Sequence, residues 1–456
     1  MSVTLLFLLA FGLGAVAWLV GRARAGKFTV GAVRPHSLAG YHGAYVALWT
    51  VLPSLLFATI WVGVSPGLVT QQVLASPAAA TLTTDPGERR VILSEAQGLA
   101  SGQLQAAFNP AAETLVPEYR ATRFHFSLIG LVLTGVLAFA GGLFAFTRVK
   151  PDFRARTRVE RAVTIALLTA SLIAILTTIG IVASLLFESI RFFGMVSPID
   201  FLFGTRWSPQ AATGGDMEAL GAIPLFWGTI FIGAIIAMLV AIPLGLMSAI
   251  YLTQYASGAV RSWMKPLLEI LAGVPTVVYG YFAALTVAPV IREFGDWVGI
   301  PGTSSESALA AGLVMGIMII PFVSSMADDS LAAVPQSMRD GSLAMGATKS
   351  ETIRRVLVPA ALPGIVGGVL LAVSRAIGET MIVVMAAGLA ANMTANPFAS
   401  VTTVTVQIVQ LLTGDQEFDS AKTLAAFALG LVLFIVTLLL NIVALSVVKR
   451  YREAYD

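Results

Sequence analysis

The chain has 456 residues, of which 57% are hydrophobic and 12% are charged, and its formal net charge is +3. A soluble core cannot hide this much apolar surface, so lipid must solvate much of the chain, which is therefore an integral membrane protein. The absence of cysteine excludes disulfides and a cysteine nucleophile. The histidines, His36, His42 and His125, lack the spacing of a zinc site, and no metal site is expected.

Nine apolar stretches are long enough to cross a membrane as helices, which takes about 17–25 residues each. They lie near residues 2–20, 43–64, 125–147, 162–190, 223–253, 267–291, 307–326, 362–388 and 423–447. The first has no basic residues before it and no small-residue cleavage pattern, so we interpret it as a retained helix and not as a cleaved leader. The predicted fold is an all-α, polytopic bundle of membrane helices.

The basic residues predict the orientation of these helices. Six of them lie between the third and fourth stretches, at Arg148, Lys150, Arg154, Arg156, Arg158 and Arg161. Most of the other loop lysines and arginines fall on the same side of the predicted membrane. Because basic loops stay inside, this side is predicted to be cytoplasmic, which places the N-terminus outside and the C-terminus in the cytoplasm.

The same basic stretch divides the chain. Residues 1–147 hold three predicted membrane helices and an external segment, 65–124, which is rich in Ala, Ser, Pro and Thr and has a helical run near 88–107. Without a recognisable metal-ligand or catalytic cluster, this segment is interpreted as a docking or spacer element. Residues 148–161 form a cytoplasmic linker, and residues 162–456 form a core of six predicted membrane helices.

The cytoplasmic loop 328–361, after the seventh stretch, predicts two short helices. Pro335 suits the first turn of a helix, where its missing N–H is not needed, and this helix is expected to reach Met345. Gly346 then supplies a residue that readily adopts a positive φ just past the helix. The expected result is a helix–turn–helix that lies on the membrane surface.

A capping box predicts where the second helix begins. Thr348 and Glu351 have the T-x-x-E spacing, in which each side chain binds the backbone N–H of the other residue. We expect this helix to run from Lys349 to Val358, where Pro359 restricts its continuation. Taken alone, the two helices also suit an interfacial cover without a further function.

Several residues of this loop resemble the EAA motif of ABC importer permeases. The match comprises Asp340, Gly341 and Ser342, then Gly346, and finally the apolar run that closes at Pro359. Gly341 and Ser342 stand where the family has two alanines, and both are small. The resemblance implies that the loop inserts into a cleft of a cytoplasmic ATPase and transmits its closure to the pore. We call it the coupling loop.

Three further segments resemble the phosphate permeases of this family. They are residues 269–280 (EILAGVPTVVYG), 318–321 (MIIP) and 375–383 (RAIGETMIV). The Glu-Thr-Met of the last segment is similar to the PstC-type subunit, whereas the PstA-type subunit usually continues Glu-Thr-Ala-Pro. The resemblance covers roughly residues 162–447 and implies a type I permease core. Residues 1–147 fall outside it.

Two charged residues of the eighth stretch are candidates for the substrate pathway. Arg375 lies within an apolar span, where a cation requires a partner, and Glu379 at i+4 is expected on the same helix face. A structural ion pair is one interpretation. The other is an anion site, because a guanidinium fits phosphate oxygens and the carboxylate can hold it or accept a proton. The neighbouring hydroxyls of Ser374 and Thr380 either bind substrate or serve helix packing.

The sixth stretch is predicted to be a broken helix. Its interruptions are Gly273, Pro275 and Gly280. A broken membrane helix is tolerated where it lines a cavity or packs in protein, so Thr276 and Tyr279 are candidate pathway residues. The alternative is a proline kink that shapes packing alone. Glu269 is expected to pair with Lys265 at the cytoplasmic interface.

The chain has no phosphate-cradling loop of the form G-x-x-x-x-G-K-[ST]. It is therefore predicted to be a transport subunit without bound cofactor, with ATP and Mg on a separate ATPase. The resemblance implies two copies of that ATPase, a PstA-type permease, an external phosphate-binding protein and a bacterial inner membrane. Lipid is the other expected partner, and nucleic acid is not.

Other functions fit parts of the same sequence. A permease for another oxyanion, such as phosphite or arsenate, and a PstA-like subunit are alternatives within the family. An ion-gradient secondary transporter should carry several intramembrane carboxylates or an inverted repeat, and neither is evident. In a membrane sensor or scaffold, Arg375 and Glu379 would be a structural pair.

Overall fold

The computed structural model describes residues 3–30, 36–82, 85–413 and 420–452. In these ranges the regular structure is helical, with one isolated bridge between Trp207 and Leu220, which confirms the all-α class. Nine of the described helices are long and apolar enough to cross a membrane, as predicted. They are Thr4–Gly26, Ala39–Leu74, Pro110–Thr147, Ala155–Phe193, Ile223–Tyr255, Thr276–Val298, Ala308–Ala332, Lys349–Ile377 and Ala421–Arg450.

The chain forms two compact units, Met1–Ile175 and Leu176–Asp456. The first unit contains α1 (Val3–Gly26), α2 (Ala39–Leu74), α3 (Pro86–Ser101), α4 (Pro110–Thr147) and the first part of α5 (Ala155–Phe193). Helices α1, α2 and α4 pack against one another, and α3 packs on α4. The functional boundaries that the sequence suggests, on either side of a linker at residues 148–161, stay a prediction, although residues 155–161 of that linker already belong to α5.

The external segment of the first unit has a hydrophobic cluster of its own. The cluster joins the ends of α2 and α4 to α3 through Val69, Val73, Ile92, Leu115 and Tyr119. The helical run expected near 88–107 is shorter than predicted, because α3 ends at Ser101. Gly102 follows with φ +79°, a conformation that stops the helix, and the chain becomes helical again only in α4.

The second unit contains the rest of α5 and fourteen further α-helices in the described residues. These are α6 (Pro198–Phe203), α7 (Pro209–Thr213), α8 (Ile223–Thr229), α9 (Ala237–Ile250), α10 (Gly258–Gly273), α11 (Thr276–Phe282), α12 (Ala288–Val298), α13 (Ala308–Ala332), α14 (Gln336–Ala344), α15 (Lys349–Thr352), α16 (Val358–Ile377), α17 (Met381–Ala386), α18 (Val404–Leu412) and α19 (Ala421–Arg452). Wider π-helical turns connect several of them, at Ile230–Ile236, Tyr251–Tyr255, Ala283–Val287 and Ile353–Leu357.

Helix α13 lies at the centre of the second unit. In its 18-residue apolar stretch, 61% of the residues are buried, which is the largest fraction among the nine candidate spans. Its buried face includes Met315 and Ile319, which pack with Ile232, Ala372 and Ile382 of the surrounding helices. A helix that is apolar around most of its circumference is expected at such a position. α13 therefore supports the walls of any pathway through this unit.

The sixth predicted stretch is interrupted as expected, but the membrane-length helix lies farther along the chain. α10 ends at Gly273 and α11 begins at Thr276, with Pro275 between them. Proline lacks an N–H and disfavours helical backbone in the residue before it, which explains the break. The candidate span is Thr276–Val298 and not residues 267–291.

The eighth predicted stretch, 362–388, is wrong as a continuous helix. α16 ends at Ile377, and α17 starts at Met381 after a short break. The candidate span instead begins in the coupling loop, at Lys349.

Pro359 does not end the second helix of the coupling loop, which corrects another prediction. The chain stays helical from α15 through the π-helical turns Ile353–Leu357 into α16. The Val358 N–H donates to the Ile353 carbonyl, five residues back. This wider turn directly before Pro359 accommodates a residue that cannot donate a backbone hydrogen bond.

Candidate functional site

A cavity of about 340 Å³ lies in the second unit, bordered by α10, α13 and the end of α16. Its lining residues are Leu252, Arg261, Lys265, Leu268, Glu269, Ala272, Met318, Pro321, Phe322, Ser324, Ser325, Asp328 and Arg375. Along α13 the lining runs from Met318 to Asp328, which corresponds to roughly 15 Å of helix axis. The cavity is therefore elongated along the helix that supports the unit.

One end of this cavity holds a carboxylate between two cations. The Arg261 Nη2 atom lies 3.2 and 3.3 Å from the two carboxylate oxygens of Asp328, and the Lys265 Nζ atom lies 2.9 Å from Oδ2. The Asp328 side chain is 10% exposed, whereas each cation is 42% exposed. This cluster ties α10 to α13. Lys265 thus binds Asp328, and the predicted pair with Glu269 is wrong.

Arg375 stands in the wall of the same cavity, in the last turn of α16. A cation is favourable at this end of a helix because the helix dipole is negative there. Within the described ranges, its guanidinium makes no hydrogen bond and no ion pair. With Arg261 and Lys265, it gives the lining three cations against the two carboxylates of Glu269 and Asp328. The excess charge is positive and suits an anion.

Glu379 does not share a helix face with Arg375, so the predicted i, i+4 arrangement is wrong. Because α16 has already ended, the Glu379 carboxylate instead accepts hydrogen bonds from the N–H groups of Met381 and Ile382, at 3.1 and 3.5 Å. Its backbone carbonyl accepts from the Thr405 hydroxyl at 2.8 Å. Glu379 therefore organises the start of α17.

The other predicted pathway residues flank the two helix breaks and are not among the described lining residues of the cavity. Thr276 begins α11, and the Tyr279 hydroxyl donates to the Leu271 carbonyl at 2.8 Å across the break after α10. Ser374 lies in the last turn of α16, and the Thr380 hydroxyl lies 3.4 Å from the Gly378 carbonyl. α11 and α17 pack together, so the two breaks belong to neighbouring helices.

Sequence reasoning assigned four polar residues of the cavity to no site: Arg261, Ser324, Ser325 and Asp328. Asp328 sits at the end of an apolar stretch, and the bases that it binds are more than sixty residues earlier in the chain. An acidic residue at the edge of a predicted span, with basic residues in a neighbouring loop, is the sequence signal that could have identified Asp328.

The coupling loop has the predicted local geometry. Gly346 has φ +87° after α14, and the reciprocal hydrogen bonds of the capping box are formed. The Thr348 N–H lies 2.9 Å from Glu351 Oε2, and the Glu351 N–H lies 3.3 Å from Thr348 Oγ1. The Ser342 and Thr352 hydroxyls lie 3.0 Å apart and connect the two helices. These hydrogen bonds therefore connect the turn at Gly346 to the helix before it and to the helix after it.

The coupling loop is exposed on one side and anchored on the other. Met345 is 88% exposed and Leu343 is 41% exposed, and Asp340 and Gly341 are also exposed. Behind this surface, Ile353, Leu357, Ala327 and Leu331 belong to one buried cluster. The exposed apolar side chains are free to contact another protein, and the buried cluster fastens the loop to the membrane helices.

Two family descriptions match the chain. Residues 241–453 match "Binding-protein-dependent transport system inner membrane component", and residues 5–177 match "Phosphate ATP-binding cassette transporter". Together with nine candidate spans in the described residues and an anchored coupling loop, these matches define the class as a multi-pass permease component of an ABC transport system.

Relatives with known names narrow this class. The probable ABC transporter permease YqgH of Bacillus subtilis is 35% identical over 54% of this chain and 75% of its own length. The phosphate transport system permeases PstC of Mesorhizobium japonicum and Haemophilus influenzae are 32% and 31% identical, over 62% of this chain and 88% and 92% of theirs. The chain belongs to the PstC-type family of phosphate ABC importer permeases, with an additional N-terminal region.

Solved structures of the inward-facing methionine transporter MetNI also align with the chain. One covers 51% of this chain and 94% of its own, at 19% identity and a TM-score of 0.37.

Proposed function

We propose that this chain forms half of the transmembrane pathway of an ATP-driven importer of inorganic phosphate. The observation that carries the proposal is the position of Arg375. Its side chain lines a cavity with excess positive charge, and within the described part of the chain its guanidinium has no ion-pair partner. A planar guanidinium offers two parallel N–H donors to two phosphate oxygens, which a point charge does not.

The remaining polar groups of the cavity suit passage better than permanent binding. The hydroxyls of Ser324 and Ser325 provide neutral donors, and Asp328 already engages the cations at one end. Glu269 adds a second negative charge to the wall. An anion is therefore attracted without being surrounded by free cations, so it is held weakly enough to move on.

The residues at the two helix breaks complete the proposed pathway. Thr276 and Tyr279 lie at the first break, and Ser374, Glu379 and Thr380 lie at the second. Broken helices place polar backbone groups within the membrane, where transporters use them to bind substrates. We assign these five residues to the pathway beyond the cavity. Glu379 acts there by setting the start of α17.

A continuous helix connects the coupling loop to Arg375. The helical chain from Lys349 to Ile377 has α15 at one end and Arg375 at the other. That distance corresponds to roughly 40 Å at the rise of an α-helix. A displacement of the coupling loop is therefore transmitted along one helix to the cation that we assign to phosphate. The residues of the proposed ATPase contact are Asp340, Gly341, Ser342, Gly346, Thr348, Glu351 and Pro359.

Energy for transport comes from another chain in this proposal. Two copies of a cytoplasmic ATPase bind ATP and Mg, and their closure draws the coupling loops together and opens the pathway outward. An external phosphate-binding protein then delivers the substrate, and hydrolysis returns the pathway to the cytoplasm. The coupling loop and the C-terminus face the cytoplasm, because most basic loops lie on that side.

A PstA-type permease supplies the other half of the pathway. The apolar window of α5 is not buried by the described residues, and every residue of α10 is at least partly exposed. Such helices require either lipid or a second membrane protein beside them. A second permease explains why Arg375 is exposed in the isolated chain.

Purification from the native membrane tests this proposal. The chain is isolated in mild detergent, the bound proteins are identified, and ATP hydrolysis is measured with the phosphate-loaded external binding protein. We expect an ATPase and a second permease to co-purify, and the loaded binding protein to stimulate hydrolysis. A chain that purifies without an ATPase and transports phosphate on an ion gradient would instead be a secondary transporter.

A further inference from the structure

The first unit contains a cleft of about 550 Å³ with two chemically different ends. It lies between α2 and the start of α5. Its lining residues are Tyr45, Leu48, Trp49, Leu52, Pro53, Arg154, Thr157, Arg158, Arg161, Ala162 and Ile165. Three arginines and a threonine form one end, and aliphatic and aromatic side chains form the other. No carboxylate occurs among these described lining residues.

The arginines of the cleft lie where an α-helix disfavours positive charge. Arg154, Arg158 and Arg161 follow one another at the spacing of a single helix face, at the N-terminus of α5. The helix dipole is positive at this end and acts within the first turn, so Arg154 and Arg158 are disfavoured there unless an anion is present. In the part of the chain that the structure describes, none of the three forms an ion pair. Arg158 stacks on Phe153 at 5.5 Å.

The neighbouring carboxylates do not neutralise this charge. Glu160 binds Arg156, with 2.6 Å between Oε1 and Nε, and it does not line the cleft. Asp152 is exposed and is also outside the lining. Arg156 is further occupied by the Tyr41 ring, 5.9 Å away. The cleft therefore has a net positive end that the described residues leave uncompensated.

Packing holds the two walls of the cleft in place. Ala155 and Val159 of α5 are buried with Tyr45 and Val46 of α2. The Arg156 N–H donates to the Ser37 hydroxyl at 3.1 Å, which fixes the start of α5 beside the start of α2. The adjoining face of the α5 start, which carries the arginines, therefore borders the cleft.

We propose that this cleft binds an anionic glycerophospholipid. The arginines bind the phosphate of the headgroup, with Thr157 as an additional donor, and one acyl chain lies along Leu48, Leu52 and Ile165. Leu52 and Ile165 are each 56% exposed, although both belong to helices of membrane length. A free anion would leave this apolar half uncovered, and a lipid without net charge would leave the arginines uncompensated. Basic pockets between membrane helices are known to hold anionic headgroups.

Lipid retention by the full-length chain tests the proposal. The purified chain is mixed with phosphatidylglycerol or with phosphatidylcholine of the same acyl chains, and bound lipid is measured by native mass spectrometry. Arg158→Gln with Arg161→Gln removes two charges from the cleft. Arg22→Gln with Arg24→Gln removes two charges outside it. Quenching of Trp49 fluorescence by brominated phosphatidylglycerol, corrected with Trp49→Phe, reports where the lipid lies.

We expect the wild-type chain to prefer phosphatidylglycerol, and the cleft variant to bind it roughly 10- to 30-fold more weakly, as expected for two arginines near a membrane surface. The Arg22 and Arg24 variant should keep the preference, and Trp49 should be quenched. Equal losses in both double variants, or no preference in the wild-type chain, would overturn the proposal. Displacement of the lipid by millimolar inorganic phosphate would also overturn it, since the cleft would then be a free-anion site. If the cleft variant does not fold, the proposal is tested by the lipid preference of Arg161→Gln alone and by the quenching of Trp49. Unchanged lipid binding by Arg161→Gln together with an unquenched Trp49 would overturn it.

Discussion

At the scale of single residues, the charges of the cavity divide into two kinds. Arg261 and Lys265 are engaged by Asp328, whereas Arg375 has no ion pair with any residue that the structure describes. A cation that is engaged in the protein contributes to stability, and one without such a partner is available to substrate. We therefore propose that Arg375 contacts the substrate and that the Asp328 cluster has a structural role.

Arg375→Lys is expected to reduce phosphate uptake roughly 10- to 100-fold, because losing one charge-assisted hydrogen bond costs about 1.5–3 kcal/mol. Lysine keeps the positive charge but not the planar pair of donors. Uptake is measured in membrane vesicles with the level of assembled complex determined in parallel. Arg292→Lys, at a residue that pairs with Asp296 outside the cavity, is the control.

The double change Arg375→Gln with Glu269→Gln separates substrate binding from charge neutralisation, because Glu269 is a carboxylate of the same cavity wall and makes no ion pair in the described residues. We expect the double variant to be as inactive as the single variant Arg375→Gln. Near-normal uptake by the double variant would show that Arg375 only balances a carboxylate.

A second prediction at this scale concerns the turn of the coupling loop. Gly346→Pro should abolish stimulated ATP hydrolysis, because proline holds φ near −65° and Gly346 has φ +87°. Gly346→Asn should keep most of the stimulation, since asparagine tolerates a left-handed backbone and no atom lies within 4 Å of an added Cβ. Gly341→Ala, which restores an alanine of the family motif, should be neutral. Full stimulation of the Gly346→Pro protein would exclude a coupling role for this turn.

At the scale of helices, local signals predicted starts and turns well and continuity poorly. The capping box at Thr348 and the positive φ of Gly346 depend on residues close in sequence, and both are confirmed. The continuation past Pro359 depends on π-helical turns, and the end of α16 depends on Glu379 binding the next helix. These hydrogen bonds also join residues close in sequence, but the apolar pattern across residues 362–388 favoured a continuous helix and did not indicate them.

The Asp328 cluster is expected to stabilise the contact between α10 and α13. Asp328→Asn should lower the unfolding free energy by about 1–3 kcal/mol, less than for a fully buried pair, because both cations are 42% exposed. The thermal unfolding midpoint in detergent measures the effect. Asp329→Asn, at an exposed neighbour, is the matched control. Equal midpoints for the two variants would mean that the cluster does not hold these helices together.

At the scale of the whole molecule, composition predicted a membrane protein and the apolar stretches predicted nine spans, and the described residues contain nine candidates. The family was recognisable from the coupling loop and from the segments around Glu269 and Arg375. The cavity was not, because its charges converge from α10, α13 and α16. The resemblance stopped short of residues 1–147, so it did not predict that residues 5–177 match a family description of their own.

The N-terminal region is predicted to assist assembly or regulation and not to form the phosphate pathway. The residues assigned to the pathway all lie in the second unit. A chain that starts at Lys150 should therefore retain measurable uptake, even where less complex is assembled. Uptake per assembled complex is the quantity to compare. A shortened chain that assembles stably but is wholly inactive would place the N-terminal region within the mechanism.

Transport by the reconstituted complex tests the central claim most directly. The complete complex is placed in proteoliposomes with ATP at the ATPase face and the phosphate-loaded binding protein at the other, and accumulation of radiolabelled phosphate is measured. We predict saturable uptake that requires ATP and the binding protein and that excess unlabelled phosphate competes away, whereas sulfate does not. Phosphate uptake that proceeds without ATP, or an assembled complex that hydrolyses ATP without moving phosphate, would contradict the account.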